Sequence, residues 1–285
     1  MKQRLLTAAI ALPLLIASIV LPFFVPGNTM AQWPFLLFTA LAIGAGLFEY
    51  FSMTKKLELK GDAALAYIFA AIFFVAFLFD APSKAPDLLV ITFAIFLIVL
   101  LISQTFRFQK DFSKMFAGVG VTLLGVLWIA FLGGFLVSIR VGFNDTAISS
   151  LSSKLLLYFF LVAMGSDVGA YFIGSKLGKH KLVPTISPNK TWEGLIGGIL
   201  LAIGFAAASS LTYFRELPLP VSIGLGIALA LIGVGGDLAE SALKRGAKTK
   251  DAASILPGHG GLLDRLDSLL FNAPVMFYFA KFYFG

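Results

Sequence analysis

Fifteen carboxylates occur in the chain, and four stand where an acid is hardest to explain: Asp167, Asp237, Asp264 and Asp267 each border a run of apolar residues. A carboxylate close to hydrocarbon is costly unless it pairs with a base or binds a cation, which makes each one a candidate for function. Asp264 and Asp267 are three residues apart and share a face if the stretch is helical, as do Asp237, Glu240 and Ser241. Plainer roles fit the same residues. Acids in the first turn of a helix cap it and complement its dipole, which would account for Asp264 and Asp267. An interfacial ion pair with Lys244 or Arg245 would account for Asp237.

The neighbouring residues argue for more. Lys244, Arg245, Lys248 and Lys250 fall within one short stretch, followed by Asp251 and the turn PGHGG around His259. Carboxylates beside lysine and arginine are the components of metal-assisted phosphoryl or nucleotidyl transfer. Oxygen ligands suit Mg²⁺, which keeps part of its water and shares its shell with substrate phosphates. Lysine and arginine neutralise the rest of the polyanion. Gly258, Gly260 and Gly261 let backbone N–H groups approach an anion closely, although PGHGG is also an ordinary turn. His259 stays open between ligand, phosphate donor and turn residue. A second polar segment, SPNKTWEG at 187–194, offers Lys190 and Glu193, with Thr191 as the N-cap of a helix. Such a helix start can also face an anion. Lys176, Lys179, His180 and Lys181 read as a face for lipid headgroups.

The elements that must position these residues are membrane helices. The 285 residues are 59% hydrophobic and only 13% charged, against about a quarter charged in a soluble domain. So much apolar surface cannot be hidden in one water-soluble core. Nine apolar runs, near 5–25, 33–53, 63–79, 88–105, 116–137, 155–172, 194–212, 220–236 and 269–284, approach the roughly twenty residues that cross a bilayer. The first follows a basic start like that of a signal peptide; with eight more runs behind it, an anchor helix is the reading. The fold class expected is all-α, a polytopic integral membrane protein of about nine transmembrane helices with a cytoplasmic N-terminus. Residues 1–150 would form an N-terminal transmembrane region of about five helices. Residues 151–285 would form a catalytic region of about four, with cytoplasmic loops 173–193 and 237–268. On that topology seventeen of the twenty-two lysines and arginines fall on the cytoplasmic side, as the positive-inside rule requires. The same loops account for the net charge of +7 without a nucleic-acid partner. The absence of cysteine excludes disulfides and thiolate metal sites, and two histidines are too few for a multi-histidine cage.

The stretch from Ser241 to Asp267, SALKRGAKTKDAASILPGHGGLLDRLD, resembles the signature of the phosphatidate cytidylyltransferase (CDP-diacylglycerol synthase) family. The resemblance rests on Ser241, Lys244, Arg245, Lys250, Asp251, His259, Gly260, Gly261, Asp264, Arg265 and Asp267, and SDVGAYFIGSKLGKHKL and SPNKTWEG are similar to further segments of that family. It implies an Mg²⁺-dependent enzyme of the bacterial inner membrane, its site facing the cytoplasm, that converts CTP and phosphatidic acid to CDP-diacylglycerol and pyrophosphate. It implies Asp237, Asp264 and Asp267 as metal ligands, and it associates a second, monovalent cation with the site. Lys244, Arg245 and Arg265 would act on the phosphates with the three aspartates. Asp167, Lys190, Glu193, Ser241, Lys250, Asp251, His259, Gly260 and Gly261 would line the substrate site, with Asp167 open between metal, nucleotide and a buried ion pair. A homodimer is expected from the resemblance alone. Two other classes use similar parts: a CTP- or ATP-dependent lipid kinase, and an ion or solute transporter. The latter places its binding groups near the bilayer midplane in two corresponding halves, whereas these acids gather at one face.

Overall fold

A computed structural model describes residues 2–25, 28–79, 87–144, 146–247 and 261–285. The apolar runs are helices: α1 (Lys2–Phe24), α2 (Trp33–Lys56), α3 (Ala63–Phe79), α4 (Leu88–Arg107), α5 (Met115–Gly125), α6 (Leu132–Gly142), α7 (Leu151–Leu177), α8 (Trp192–Leu211), α9 (Leu219–Gly246) and α10 (Leu263–Phe284). A π-helical segment, Val126–Phe131, joins α5 and α6 end to end, so the described residues form nine rods, matching the nine apolar runs. Six helical stretches are long and apolar enough to cross a membrane, with Ala11–Phe24 and Ala63–Phe79 as shorter apolar helices. The outer surface agrees: Leu41, Ile68, Val90 and Leu101 are exposed, and Phe116 is 90% exposed. In water such a surface would be an aggregation site; against lipid tails it is at home. The chain is an all-α polytopic integral membrane protein.

Three helices run past the apolar segments that mark them. α7 extends to Leu177, α9 to Gly246, and α10 begins at Leu263. Hydropathy ends where charge begins, but helix propensity does not: DLAESALKR is built from strong helix formers without proline or glycine. Residues 237–246, expected in a loop, are therefore helical. Asp237, Glu240, Ser241 and Lys244 lie at positions that stack along one side of α9.

Close packing has two sources. Between α7 and α8 it is glycine: a Cβ on Gly194 would come 3.0 Å from Ala170 O, and one on Gly198 would come 3.0 Å from Ser166 O. Such near-contact of backbones is how membrane helices associate where burial from water no longer drives them together. Around α3 and the π segment it is aromatic: Phe73, Phe77, Phe131 and Phe135 meet edge-on or tilted, with ring centroids 5.0–5.7 Å apart.

One element lies outside the all-α plan. β1 (Lys181–Val183) and β2 (Ser187–Thr191) form an antiparallel hairpin between α7 and α8, pairing Lys181 with Thr191 and Val183 with Ser187. Its strands are too short and too polar to show as an alternating pattern, and Pro188 is tolerated because a two-stranded ribbon has only edges. Thr191 then caps α8 as its type predicts, Oγ1 accepting from Gly194 N at 3.1 Å.

Candidate active site

Four elements converge at one end of the bundle: the hairpin, the last turns of α9, the first turns of α10 and the C-terminal half of α7. α9 supplies Asp237 and Glu240 and α10 supplies Asp267. Among the described residues these three form an acidic group in which one ligand oxygen from each lies within 4.8 Å of the others. Glu240 is 0% exposed and Asp267 6%. The close approach of α9 and α10 that makes this possible depends on Gly236, where a Cβ would stand 2.6 Å from Asp267 O.

Basic residues surround the acids. Lys190 Nζ, delivered by β2, lies 2.7 Å from Asp237 Oδ2, and Ser241 Oγ donates to Asp237 Oδ1 at 3.3 Å. Lys244 Nζ bridges Glu240 Oε2 at 2.7 Å and Asp264 Oδ1 at 3.0 Å. Asp264 Oδ2 also accepts from Gly261 N at 3.4 Å. Asp267 Oδ1 accepts from Ser268 N at 2.6 Å. Asp167, on α7, lies within electrostatic reach of Asp237, Lys190 and Arg265, and its charge is felt at Asp267. Among the described residues, five carboxylates (Asp167, Asp237, Glu240, Asp264, Asp267) gather here with three bases (Lys190, Lys244, Arg265).

Several expected site residues are placed differently from their sequence roles. Asp237 pairs with Lys190 rather than with Lys244 or Arg245. Asp264 turns to Lys244, and Glu240 stands third in the converging set beside Asp237 and Asp267. The physical reason is that Asp264 comes at the very start of α10, beside Lys244, whereas Asp267 is nearly one turn deeper. Arg245 is exposed and donates through Nε to Ile186 O of the hairpin loop at 3.1 Å. Glu193 is taken up by structure: its carboxylate accepts from Lys179 N and His180 N and lies 2.6 Å from His180 Nδ1. It thus fixes the strand entry that aims Lys190. Lys250, Asp251, His259 and Gly260 lie outside the described residues.

Two functional candidates were given no role from the sequence, although Glu240 was placed on one face with Asp237. Glu240 carried a legible signal, three residues after Asp237 on the same helical face. Glu49 carried one too, as a lone acid inside the apolar run LFEYF on α2, but its partner was not legible: its carboxylate meets the start of α10. An apolar groove of about 780 Å³ is lined by Val90, Phe93, Leu127, Trp128, Ala239 and Leu243. Ala239 and Leu243 share the depth of Glu240 and Lys244 on α9 but not their side of the helix.

A helical membrane protein with a carboxylate and lysine site at one end belongs to the class that handles charged groups at the lipid boundary. Comparison narrows the class: the family model described as Cytidylyltransferase family matches residues 2–283. The chain belongs to this family, and it is a nucleotidyltransferase. It is 34% identical over 283 residues to a phosphatidate cytidylyltransferase of Bacillus subtilis (strain 168), covering 98% of this chain and 97% of that one. It is 34% identical over 281 residues to one of Staphylococcus haemolyticus (strain JCSC1435), covering 97% of each. With one of Haemophilus influenzae (strain ATCC 51907 / DSM 11121 / KW20 / Rd) it shares 45% identity over 134 residues, 46% of each chain.

Proposed function

We propose that the chain transfers the cytidylyl group of CTP to phosphatidic acid, giving CDP-diacylglycerol and pyrophosphate, at the cytoplasmic face of a bacterial-type inner membrane. The observation that carries this reading is the convergence of Asp237, Glu240 and Asp267, flanked by Lys190 and Lys244, in a chain whose full-length relatives bear that name. The apolar groove at the depth of Ala239 and Leu243 supports the lipid half of the reaction, since its lining suits an acyl chain.

In this reading an oxygen of the lipid phosphate attacks the α-phosphorus of CTP. The new P–O bond forms as the bond to the bridging oxygen breaks, and pyrophosphate leaves with that electron pair. The second pKa of a phosphate monoester is about 6, so the nucleophile is largely ionised at neutral pH and needs no general base. The task left to the protein is to hold two polyanions together in line.

The donor set fits a hard divalent cation. It offers oxygen from three carboxylates, the ligand type that Mg²⁺ takes. Asp237, Glu240 and Asp267 would hold Mg²⁺, with Asp264 beside them through Lys244. When bound, Mg²⁺ would supply neutralisation of the charge that develops on the phosphates as pyrophosphate leaves. Lys190, Lys244, Arg245 and Arg265 bind the triphosphate and the lipid phosphate, exchanging carboxylate partners for phosphate. Ser241 and Gly261 shape the phosphate pocket; Lys250, Asp251, His259 and Gly260, expected at the same substrate site, lie outside the described residues. Glu193 orients Lys190 through the hairpin. Asp167, within electrostatic reach of Asp237, Lys190 and Arg265, lines the substrate site beside the acid group. Nine crossings with a cytoplasmic N-terminus bring all of these to the side where CTP is found.

The test is turnover of CTP with phosphatidic acid in detergent micelles, with and without Mg²⁺. Cytidine label is expected in the lipid product only with Mg²⁺. Transfer of the terminal phosphate instead would make the protein a lipid kinase, and absence of any CDP-lipid in both conditions would overturn the proposal.

A further inference from the structure

Glu49 of α2 is 0% exposed in a membrane helix, where a carboxylate needs a reason. Its Oε1 accepts a hydrogen bond from Leu262 N at 2.8 Å and its Oε2 one from Leu263 N at 2.7 Å. The first amides of a helix have no partner within it, and a carboxylate there satisfies them and complements the helix dipole. Ordinarily the residue at the helix start does this with its own side chain. At the start of α10 that residue is Leu262, which cannot. The cap comes instead from a residue more than two hundred positions earlier in the chain.

The contact is packed on one side and hydrogen-bonded on the other. A Cβ on Gly46, almost one turn before Glu49, would come within 4 Å of both Leu263 and Leu266, so α2 and α10 lie against each other there. On its other side α2 is tied to α5 through Tyr50, whose hydroxyl donates to Val121 O at 2.9 Å. The capped amides immediately precede Asp264, and Asp267 follows one turn on. The Glu49 charge also lies within electrostatic reach of Asp264.

We propose that Glu49 is a positioning residue for the cation shelf: it fixes where and at what angle α10 begins, and thereby sets Asp264 and Asp267 against Asp237 and Glu240. The inference rests on the reading of those acids as a cation site. Groups that orient metal ligands from behind are worth about 10–100-fold in metal affinity or activity. A mere anchor between two helices would instead change stability and leave metal affinity alone.

The experiment uses the full chain in detergent micelles, as wild type, Glu49→Gln, Glu49→Ala, Asp267→Asn and, as a control on the exposed face of α2, Phe48→Ala. Mn²⁺ binding is followed by electron paramagnetic resonance, hydrogen exchange is read on peptides covering 261–266, and turnover is measured against Mg²⁺ concentration. Glu49→Gln keeps one acceptor, so its Mn²⁺ affinity is expected to fall about tenfold, and that of Glu49→Ala towards 100-fold. The Mg²⁺ concentration for half-maximal turnover should rise in step, with kcat at saturating Mg²⁺ within a few-fold of wild type. The amides of Leu262 and Leu263 should exchange faster while protection elsewhere is unchanged, and Phe48→Ala should match wild type. If Glu49→Ala does not fold, Glu49→Gln decides by the same measurements. Wild-type Mn²⁺ affinity in Glu49→Gln, with binding lost in Asp267→Asn, would overturn the role of Glu49 and leave the shelf standing. No specific Mn²⁺ binding by the wild type would overturn the shelf and this inference together.

Discussion

Asp267 is buried on α10 with a backbone amide as its close partner and with the charges of Asp237 and Asp167 both felt at its carboxylate. Like charges gathered out of water are unfavourable unless a cation joins them, which is why Asp267 weighs more in the proposal than the better-paired Asp264. The two aspartates can be told apart. Asp267→Asn and Asp237→Asn should lose turnover on the order of 10²–10⁴-fold, since a bound cation supplies several kcal/mol of transition-state stabilisation. In Asp264→Asn, Lys244 keeps Glu240 as partner, so Mn²⁺ affinity should change less than in Asp267→Asn while the KM for CTP rises. Metal titrations beside steady-state kinetics decide this. Equal loss of metal affinity in both would restore the set of three aspartates that the resemblance implies and remove Glu240 from it.

At the scale of elements, the positions of the helices were legible because lipid imposes a simple rule, about twenty apolar residues per crossing. The helix ends were not, because charge is where hydropathy stops reporting. α9 runs through Glu240 and Lys244, so residues that look like a loop in sequence share one rigid helical face. The hairpin was invisible for a different reason: two strands of three and five residues leave no period to count. Glu49 stood out as an acid inside an apolar run, but its role was not legible because its partners are the backbone amides of Leu262 and Leu263, which no side-chain pattern records. The chemistry of the site, by contrast, was carried by residue type: acids among lysines and glycines. One prediction belongs to this scale. A Cβ at Gly236 would meet Asp267 O at 2.6 Å and Phe271 at 3.0 Å, whereas one at Gly235 would meet nothing within 4 Å. Gly236→Val should therefore push α10 from α9 at the level of the acids, destabilising the protein by about 1–3 kcal/mol and reducing turnover at least tenfold. Gly235→Val should retain both Tm and turnover. Equal behaviour of the two variants in melting and assay would remove the close approach from the account of the site.

For the whole molecule the decisive quantity is which end of the bundle meets the cytoplasm. Polar anchors mark both ends: Arg107 pairs with Asp62 at 3.1 Å between the ends of α3 and α4, and Lys154 pairs with Glu216 at 2.6 Å between the start of α7 and the turn after α8. Seventeen of the twenty-two basic residues belong with the first end, that of the acids, if the N-terminus is inside, and the bias of lysine and arginine in short loops is what sets orientation during insertion. The protein lends itself to a direct measurement because it contains no cysteine. Single cysteines at Lys110 and Arg215, both exposed, report the two sides. In cells whose inner membrane is intact, a membrane-impermeant maleimide is expected to label Arg215→Cys at once and Lys110→Cys only after that membrane is opened. The reverse pattern would put Asp237, Glu240 and Asp267 on the side away from CTP, and no arrangement of the site could then use a cytoplasmic nucleotide.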